Sequence, residues 1–173
     1  ALLGVSVPGA DHEPSIALVG RLAPPYTSGD AAARRASLPK GPTMWNERYS
    51  EAGYAYGTEP NDFLAAEKGR LPPSGAALAL AEGEGRNAVW LAAQGLDVLA
   101  VDQSAVGLAK AQKLAEERGV ALRTEIADLA IFDLGTARWD VIVSIWAHTP
   151  PSIRRPLHRR CVEALRPGGI FVL

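Results

Sequence analysis

The 173-residue chain has one cysteine, one methionine and three histidines, and only 6% of it is aromatic. Each scarcity excludes something. Cys161 has no second cysteine to pair with, so no internal disulfide can form, and a reducing, cytoplasmic setting fits. The histidines are scattered and lack cysteine neighbours, so no zinc site is expected and no metal is assigned. Net charge is −1, which leaves no broad basic surface for phosphates; nucleic acid is not an expected partner. No apolar run approaches the roughly 20 residues that cross a bilayer, so no membrane partner is expected either. At 47% apolar and 21% charged, the composition is that of a globular chain long enough for one domain.

What is present is unevenly distributed. Residues 1–43 hold Pro8, Pro14, Pro24, Pro25, Pro39 and Pro42 and no sustained period. They read as an irregular, Pro-rich extension or an artefact, with Met44 as the alternative natural start. The opening Ala1–Val7 is similar to the end of a signal peptide, without its basic start or a cleavage site.

From Met44 onward the pattern is regular. Short helices are predicted over Trp45–Ser50 and Asn61–Lys68, with Pro60 at a helix start. Strands are predicted over Ala76–Leu80, Asp97–Val101, Ala121–Ile126, Trp139–Ile145 and Ile170–Leu173. Helices over Arg86–Ala93, Ser104–Arg118 and Pro151–Leu165 alternate with them, Ser104 and Gly119 serving as caps and Lys110, Lys113 and Glu117 facing outward. Such alternation implies right-handed crossovers and a parallel, doubly wound α/β sheet of Rossmann-like type, order 3-2-1-4-5. Its ligand belongs at the carboxyl ends of the strands. The sequence stops inside a strand, and a helix and further strands normally follow, so a C-terminally truncated version of a longer parent is expected.

The richest stretch is Leu80-Ala81-Glu82-Gly83-Glu84-Gly85-Arg86-Asn87-Ala88. Glycines at a strand-to-helix turn let a ligand approach the backbone, and Gly83-x-Gly85-x-x-Ala88 satisfies the dinucleotide fingerprint, though a tight turn needing positive φ would give the same pattern. Charge separates the candidate ligands. Glu82 and Glu84 would repel a pyrophosphate, whereas S-adenosylmethionine brings a sulfonium and an ammonium that carboxylates favour. Arg86 opposes this unless its side chain turns away along the helix. The plainer reading of Glu84 is a solvated loop carboxylate. Asp102 ends the second strand, where a carboxylate accepts from both ribose hydroxyls; a helix-cap role is the alternative. Asp128 could meet an adenine amino group or simply turn the chain.

Beyond single residues, an ordered set stands out: Trp45-Asn46-Glu47-Arg48-Tyr49, Tyr56-Gly57-Thr58-Glu59-Pro60-Asn61-Asp62-Phe63-Leu64, the Ala81–Asn87 loop, Val101-Asp102-Gln103-Ser104, Ala127-Asp128 and Leu165-Arg166-Pro167-Gly168-Gly169. In this order they resemble the class I S-adenosylmethionine-dependent methyltransferases, in particular the small tellurite-resistance/thiopurine-methyltransferase-like group. The resemblance covers residues 44–173, which delimit the expected domain. It implies that Gly83 and Gly85, with Glu82, lie under the cofactor's methionine part, and that Asp102, with Gln103, holds the ribose. It implies further that Asp128, with Leu129, meets the adenine, and that Ile145 and Trp146 touch the methionine moiety. Tyr56 would close over the methyl group, and His148 is the candidate base or orienter. Two departures stand out. The family often has an acid where Ala79 stands and a glycine where Ala81 stands; Glu82 is the candidate replacement for the missing acid.

The remaining features have plainer readings. The arginines around His158 form a basic helix face that reads as solvated, and Cys161 falls on the apolar side of that helix as a buried thiol. The expected reaction is transfer of a methyl group to a small, soft acceptor, a thiol or chalcogen oxyanion. The alternatives are an NAD(P)-dependent oxidoreductase, weakened by the acidic loop and the absence of a Tyr-x-x-x-Lys pair, or a cofactor-binding domain made inactive by missing C-terminal strands.

Overall fold

The computed structural model describes residues 17–19 and 42–173. In chain order the elements are β1 (Ala17–Val19), α1 (Pro42–Tyr49), α2 (Asp62–Ala66), a 3₁₀ turn (Lys68–Arg70), β2 (Gly75–Leu80), α3 (Arg86–Ala93) and β3 (Leu96–Asp102). They continue with α4 (Ala105–Glu117), β4 (Arg123–Ile126), β5 (Trp139–Val143), α5 (Pro151–Ala164) and β6 (Leu165–Val172). One sheet runs in the order β1-β6-β5-β2-β3-β4, every pair parallel. Leaving β1 aside, this is the expected Rossmann-like order 3-2-1-4-5.

The central strand explains the layering. In β2 the side chains alternate between faces, and the sequence alternates in size. Ala77 and Ala79 face Leu64, Ala88, Leu91 and Leu108 of the helices on one side. Leu78 and Leu80 face Leu157, Cys161 and Ala164 of α5, with Leu129, Phe132 and Leu134, on the other. Small residues on the first face let α3 and its glycine loop lie close to the sheet. Ala79 is completely buried between Ala100 and Val143 on the neighbouring strands. The position has no acid because it belongs to the core.

Several local expectations are corrected. Ala17–Val19 is not irregular: this short apolar run pairs in parallel with Ile170–Val172 at the sheet edge. The rest of the predicted extension up to residue 41 lies outside the described residues, and α1 begins two residues before Met44. The start of α2 is capped by Asn61, whose side chain accepts from the Phe63 N–H, rather than set by Pro60. The Pro-Gly-Gly turn is absorbed into β6 as an irregularity, with Trp139 opposite Leu165 but Val141 opposite Ile170. Ser104 caps α4 as expected, accepting from the Gly107 N–H.

The turn after β2 is built from two close approaches. A Cβ on Gly85 (φ +92°) would come within 2.6 Å of the Ala111 Cβ and 2.7 Å of its Cα. A Cβ on Gly107 would come within 3.0 Å of the Gly83 backbone. The glycines are therefore demanded by α4 as well as by any ligand. Gly85→Ala should cost about 2–4 kcal/mol, from overpacking and left-handed strain together. Gly53→Ala, at φ +77° with nothing within 4 Å, bears the backbone term alone. Equal losses for the two variants in urea unfolding would contradict this packing.

Candidate active site

The loops that leave the carboxyl ends of β2, β3 and β5 converge on one end of the sheet, and the chain from α1 to α2 crosses over it. Asp102 is the junction. Its Oδ2 accepts from the Gly83 N–H at 2.9 Å and its Oδ1 from the Ser104 N–H at 2.8 Å. Burial pushes this carboxyl up, against the pull of those N–H groups. A carboxylate offers about four acceptor sites, and with the Gln103 N–H also drawing on it about one is left over. Both readings of Asp102, cap and ligand, are compatible with this geometry. Gln103 beside it is exposed.

Glu82 folds back on its own loop. Its Oε1 accepts from the Asn87 and Ala88 N–H groups, both at 2.8 Å, and so caps α3. Some of the residue stays accessible, but protein crowds the carboxyl, and burial pushes it up to about 7, partly offset by those two N–H donors. Ala81, where the resemblance expects glycine, sits at φ +52°. The left-handed turn is retained with a side chain on it.

Three expectations are overturned here. Glu84 is not a solvated loop carboxylate: it is 5% exposed, accepting from the Ala55 N–H at 2.6 Å and the Lys110 Nζ at 2.8 Å. Lys110 correspondingly does not face outward. Arg86 does not turn away. It reaches back over the Trp146 ring, 5.0 Å from its centroid, and donates to the Tyr56 carbonyl at 3.3 Å. Hydrophobic periodicity sees none of these bonds, because each joins segments distant in sequence.

Tyr56 and Trp146, predicted separately, meet edge to face with centroids 5.7 Å apart, and both are exposed. Arg48 lies 5.9 Å from the Tyr56 ring. Trp146 has φ +58°, a conformation that costs a bulky residue about 1 kcal/mol or more and that is found where tertiary structure imposes it. Ile145 is half-buried against the core. His148 is exposed and has no hydrogen-bond partner among the described residues. Asp128 is exposed and closes a turn, its Oδ1 accepting from the Ala130 N–H at 2.9 Å. Leu129 is core, and its carbonyl accepts from Arg160. That bond draws Arg160 off the otherwise solvated basic face of α5. Cys161 is fully buried, and its thiol is pushed up to about 12 by that burial.

Sequence reasoning missed three groups near the site. The Ser144 and Thr149 hydroxyls are buried with no partner among the described residues. They flank the Ile145–His148 segment, but a serine or threonine after a strand carries no signal of its own. Tyr49 is buried with its hydroxyl directly over Gly83, 2.4 Å from where a Cβ would stand. It closes that face of the glycine loop from α1. Among the described residues no helix is long and apolar enough to cross a membrane, and no cluster of His, Cys, Asp and Glu could hold a metal.

A family described as "Methyltransferase domain" matches residues 77–169. A structure determined for the conversion of a disulfide bond into a thioacetal group in echinomycin biosynthesis is 29% identical, with TM-score 0.57, covering 66% of this chain and 49% of its own. An S-adenosylmethionine-dependent methyltransferase from Mesorhizobium loti is also 29% identical, with TM-score 0.52, covering 62% and 51%. A TehB-like protein from Corynebacterium glutamicum, 21% identical with TM-score 0.53 over 82% and 73%, shares the fold. The chain thus spans about half the length of the first two structures. No curated protein matches it.

The raised Glu82 carboxyl gives a pH signature with a definite sign. Its ordinary value is 4.5 and its folded value about 7, so the folded state holds the proton between them and the unfolded state does not. This group's contribution is full below pH 4.5 and is lost as pH rises through 7, by about 3 kcal/mol at most at ~1.36 kcal/mol per unit. In Glu82→Gln the amide oxygen can still cap α3. Thermal melts between pH 4.5 and 7.5 should show the variant gaining on the wild type as pH rises; parallel curves would contradict the assignment.

Proposed function

The chain belongs to the methyltransferase-domain family, and from that premise we propose that it binds S-adenosylmethionine at the carboxyl ends of β2, β3 and β5 and methylates a small, soft, anionic acceptor. The observation that carries the acceptor is the pair of guanidiniums, Arg48 and Arg86, around the exposed Tyr56–Trp146 pair. Two cations there favour a thiolate or chalcogen oxyanion over an ammonium ion.

The residues present fit the cofactor. Glu82 and Asp102 bring negative charge to the glycine loop, which suits an ammonium and a sulfonium and disfavours the pyrophosphate of a nicotinamide dinucleotide. Glu82 supplies near the loop the charge that Ala79 does not. Asp102 has acceptor capacity left for a ribose hydroxyl, and the Ser144 and Thr149 hydroxyls have no protein partner among the described residues. When bound, the cofactor supplies a methyl group already activated by its sulfonium. The chain's own task is alignment and exclusion of water. Tyr56 and Trp146 wall the transfer site, and Arg86 holds the acceptor's charge. Asp128 meets the adenine edge through the carboxylate oxygen its turn does not use. His148 has no orienting carboxylate among the described residues, so it is assigned an assisting role; a thiolate needs little help from a base.

Further support comes from a relative connected with conversion of a disulfide into a thioacetal, a reaction at sulfur. The motif order over residues 44–173 supports the tellurite-resistance/thiopurine-methyltransferase-like group, and the lone cysteine suits a reducing cytoplasm. The test is a panel of thiols, selenite-type oxyanions and amines with S-adenosylmethionine, following S-adenosylhomocysteine release. Thiols or oxyanions should turn over and amines should not, Arg86→Met should raise the acceptor KM about tenfold, and His148→Ala should lose far less than the ~10²–10⁴-fold of an essential base. Turnover of amines alone would overturn the acceptor class. Binding of S-adenosylmethionine with no turnover of any acceptor would favour a binding domain.

A further inference from the structure

The segment Ser50–Pro60 carries Tyr56 over the site, yet it has little steric reason to stay there. Of its residues, Ser50, Glu51, Ala52, Gly53, Tyr56, Gly57 and Glu59 are exposed. A Cβ at Gly53 or Gly57 would meet nothing within 4 Å. Tyr54 alone of its side chains packs against a core cluster, resting beside Val89, Leu114 and Ala115. What holds the segment is polar. The Lys110 Nζ donates to the Glu51 carbonyl at 2.8 Å, the Gly53 carbonyl at 2.7 Å and the Glu84 Oε1 at 2.8 Å. An ammonium has three N–H donors, and all three are used. The other oxygen of Glu84 accepts from the Ala55 N–H. The Lys110 ammonium also lies 5.8 Å from the Tyr54 ring centroid.

We propose that Glu84 and Lys110 are positioning residues, an ion pair that latches Ser50–Pro60 onto the glycine loop and α4 and so places Tyr56 over the transfer site. The pair lies where the loop after β2 meets the first turns of α4, so it transmits the position of the glycine loop directly to the covering segment. Opening it loosens anchor points at residues 51, 53 and 55, and leaves the segment held by Arg86 on the Tyr56 carbonyl, Arg48 beside its ring, the Tyr54 hydroxyl on the Lys110 carbonyl and Arg118 on Glu59. The sheet loses nothing, because neither side chain packs in its core. Glu84 is too buried to be left unpaired, so Lys110 cannot leave without either water entering or the segment moving. A functional effect of the latch rests on the methyl-transfer reading above; the latch itself does not.

The experiment compares wild-type protein with Lys110→Met and with the near-isosteric Glu84→Gln, which is less disruptive to folding. Amide hydrogen exchange is read at 54–57 and in β2 and β3, and kinetics are read for S-adenosylmethionine. Both variants should exchange at 54–57 at least about tenfold faster with the strands unchanged, and should raise the cofactor KM about tenfold with kcat within about threefold. A purely structural pair would instead lower the melting temperature and speed exchange across the sheet, leaving the KM of the folded enzyme alone, and would overturn the proposal. So would unchanged exchange at 54–57 in both variants. If the wild type binds no S-adenosylmethionine, the functional reading fails and exchange alone decides the latch.

Discussion

The carboxylate of Asp102 joins the three pieces on which the site depends. It ends β3, binds the backbone of the loop after β2 and binds Ser104, the second residue after its own strand, so one side chain fixes the glycine loop against the start of α4. Ser104 extends the junction, because its hydroxyl caps α4 and also donates to the Asn46 Oδ1 of α1. Gly85 against Ala111 and Gly107 against Gly83 then bring the helix and loop into backbone contact. The covering helix, the loop and the strand end thus move as one body. Anything bound there meets a site whose shape is largely set before it arrives.

That rigidity has an electrostatic cost. Glu82 and Asp102 are crowded by protein, burial pushes both carboxyls up, and the Asp102 charge pushes Glu82 further. Among the described residues, compensation for Glu82 comes from two backbone N–H groups and Arg86. An arrangement that holds acids at raised values without a paired lysine is suited to a cationic ligand that completes the pairing. Glu84 is the contrast within the same loop: it is more deeply buried, and Lys110 and Ala55 take one bond on each of its oxygens and tie it to the covering segment. Two glutamates two residues apart are therefore separated by what lies opposite each: the first N–H groups of α3 for Glu82, a lysine and the covering segment for Glu84.

The sheet order was legible because β2, β3 and β5 are short apolar runs separated by caps and glycines, signals that depend only on neighbours in sequence. Tyr56 and Trp146 were each singled out by motif order, which carries long-range information that periodicity lacks, but their contact was not foreseen. Lys110 was misread for a physical reason. A lysine on the polar side of an amphipathic helix looks solvated unless one knows that another loop, here Glu51–Ala55, folds down on that side. Glu84 and Arg86 were misread with it, since each is satisfied by the same covering segment. The strand at Ala17–Val19 was invisible because three residues carry no period, and only the exposed edge of β6 gives them a partner.

On the proposed function, the junction around Asp102 and the Tyr56–Trp146 pair are two ends of one ligand site. Nitrogen-15 NMR of the whole chain titrated with S-adenosylhomocysteine tests it most directly. The Gly83 and Ser104 amides and the Trp146 indole should shift together along one saturating curve, while Cys161 in α5 and Thr124 in β4 stay fixed. Shifts confined to α5 or the sheet edge, or shifts at Gly83 without Trp146, would contradict it.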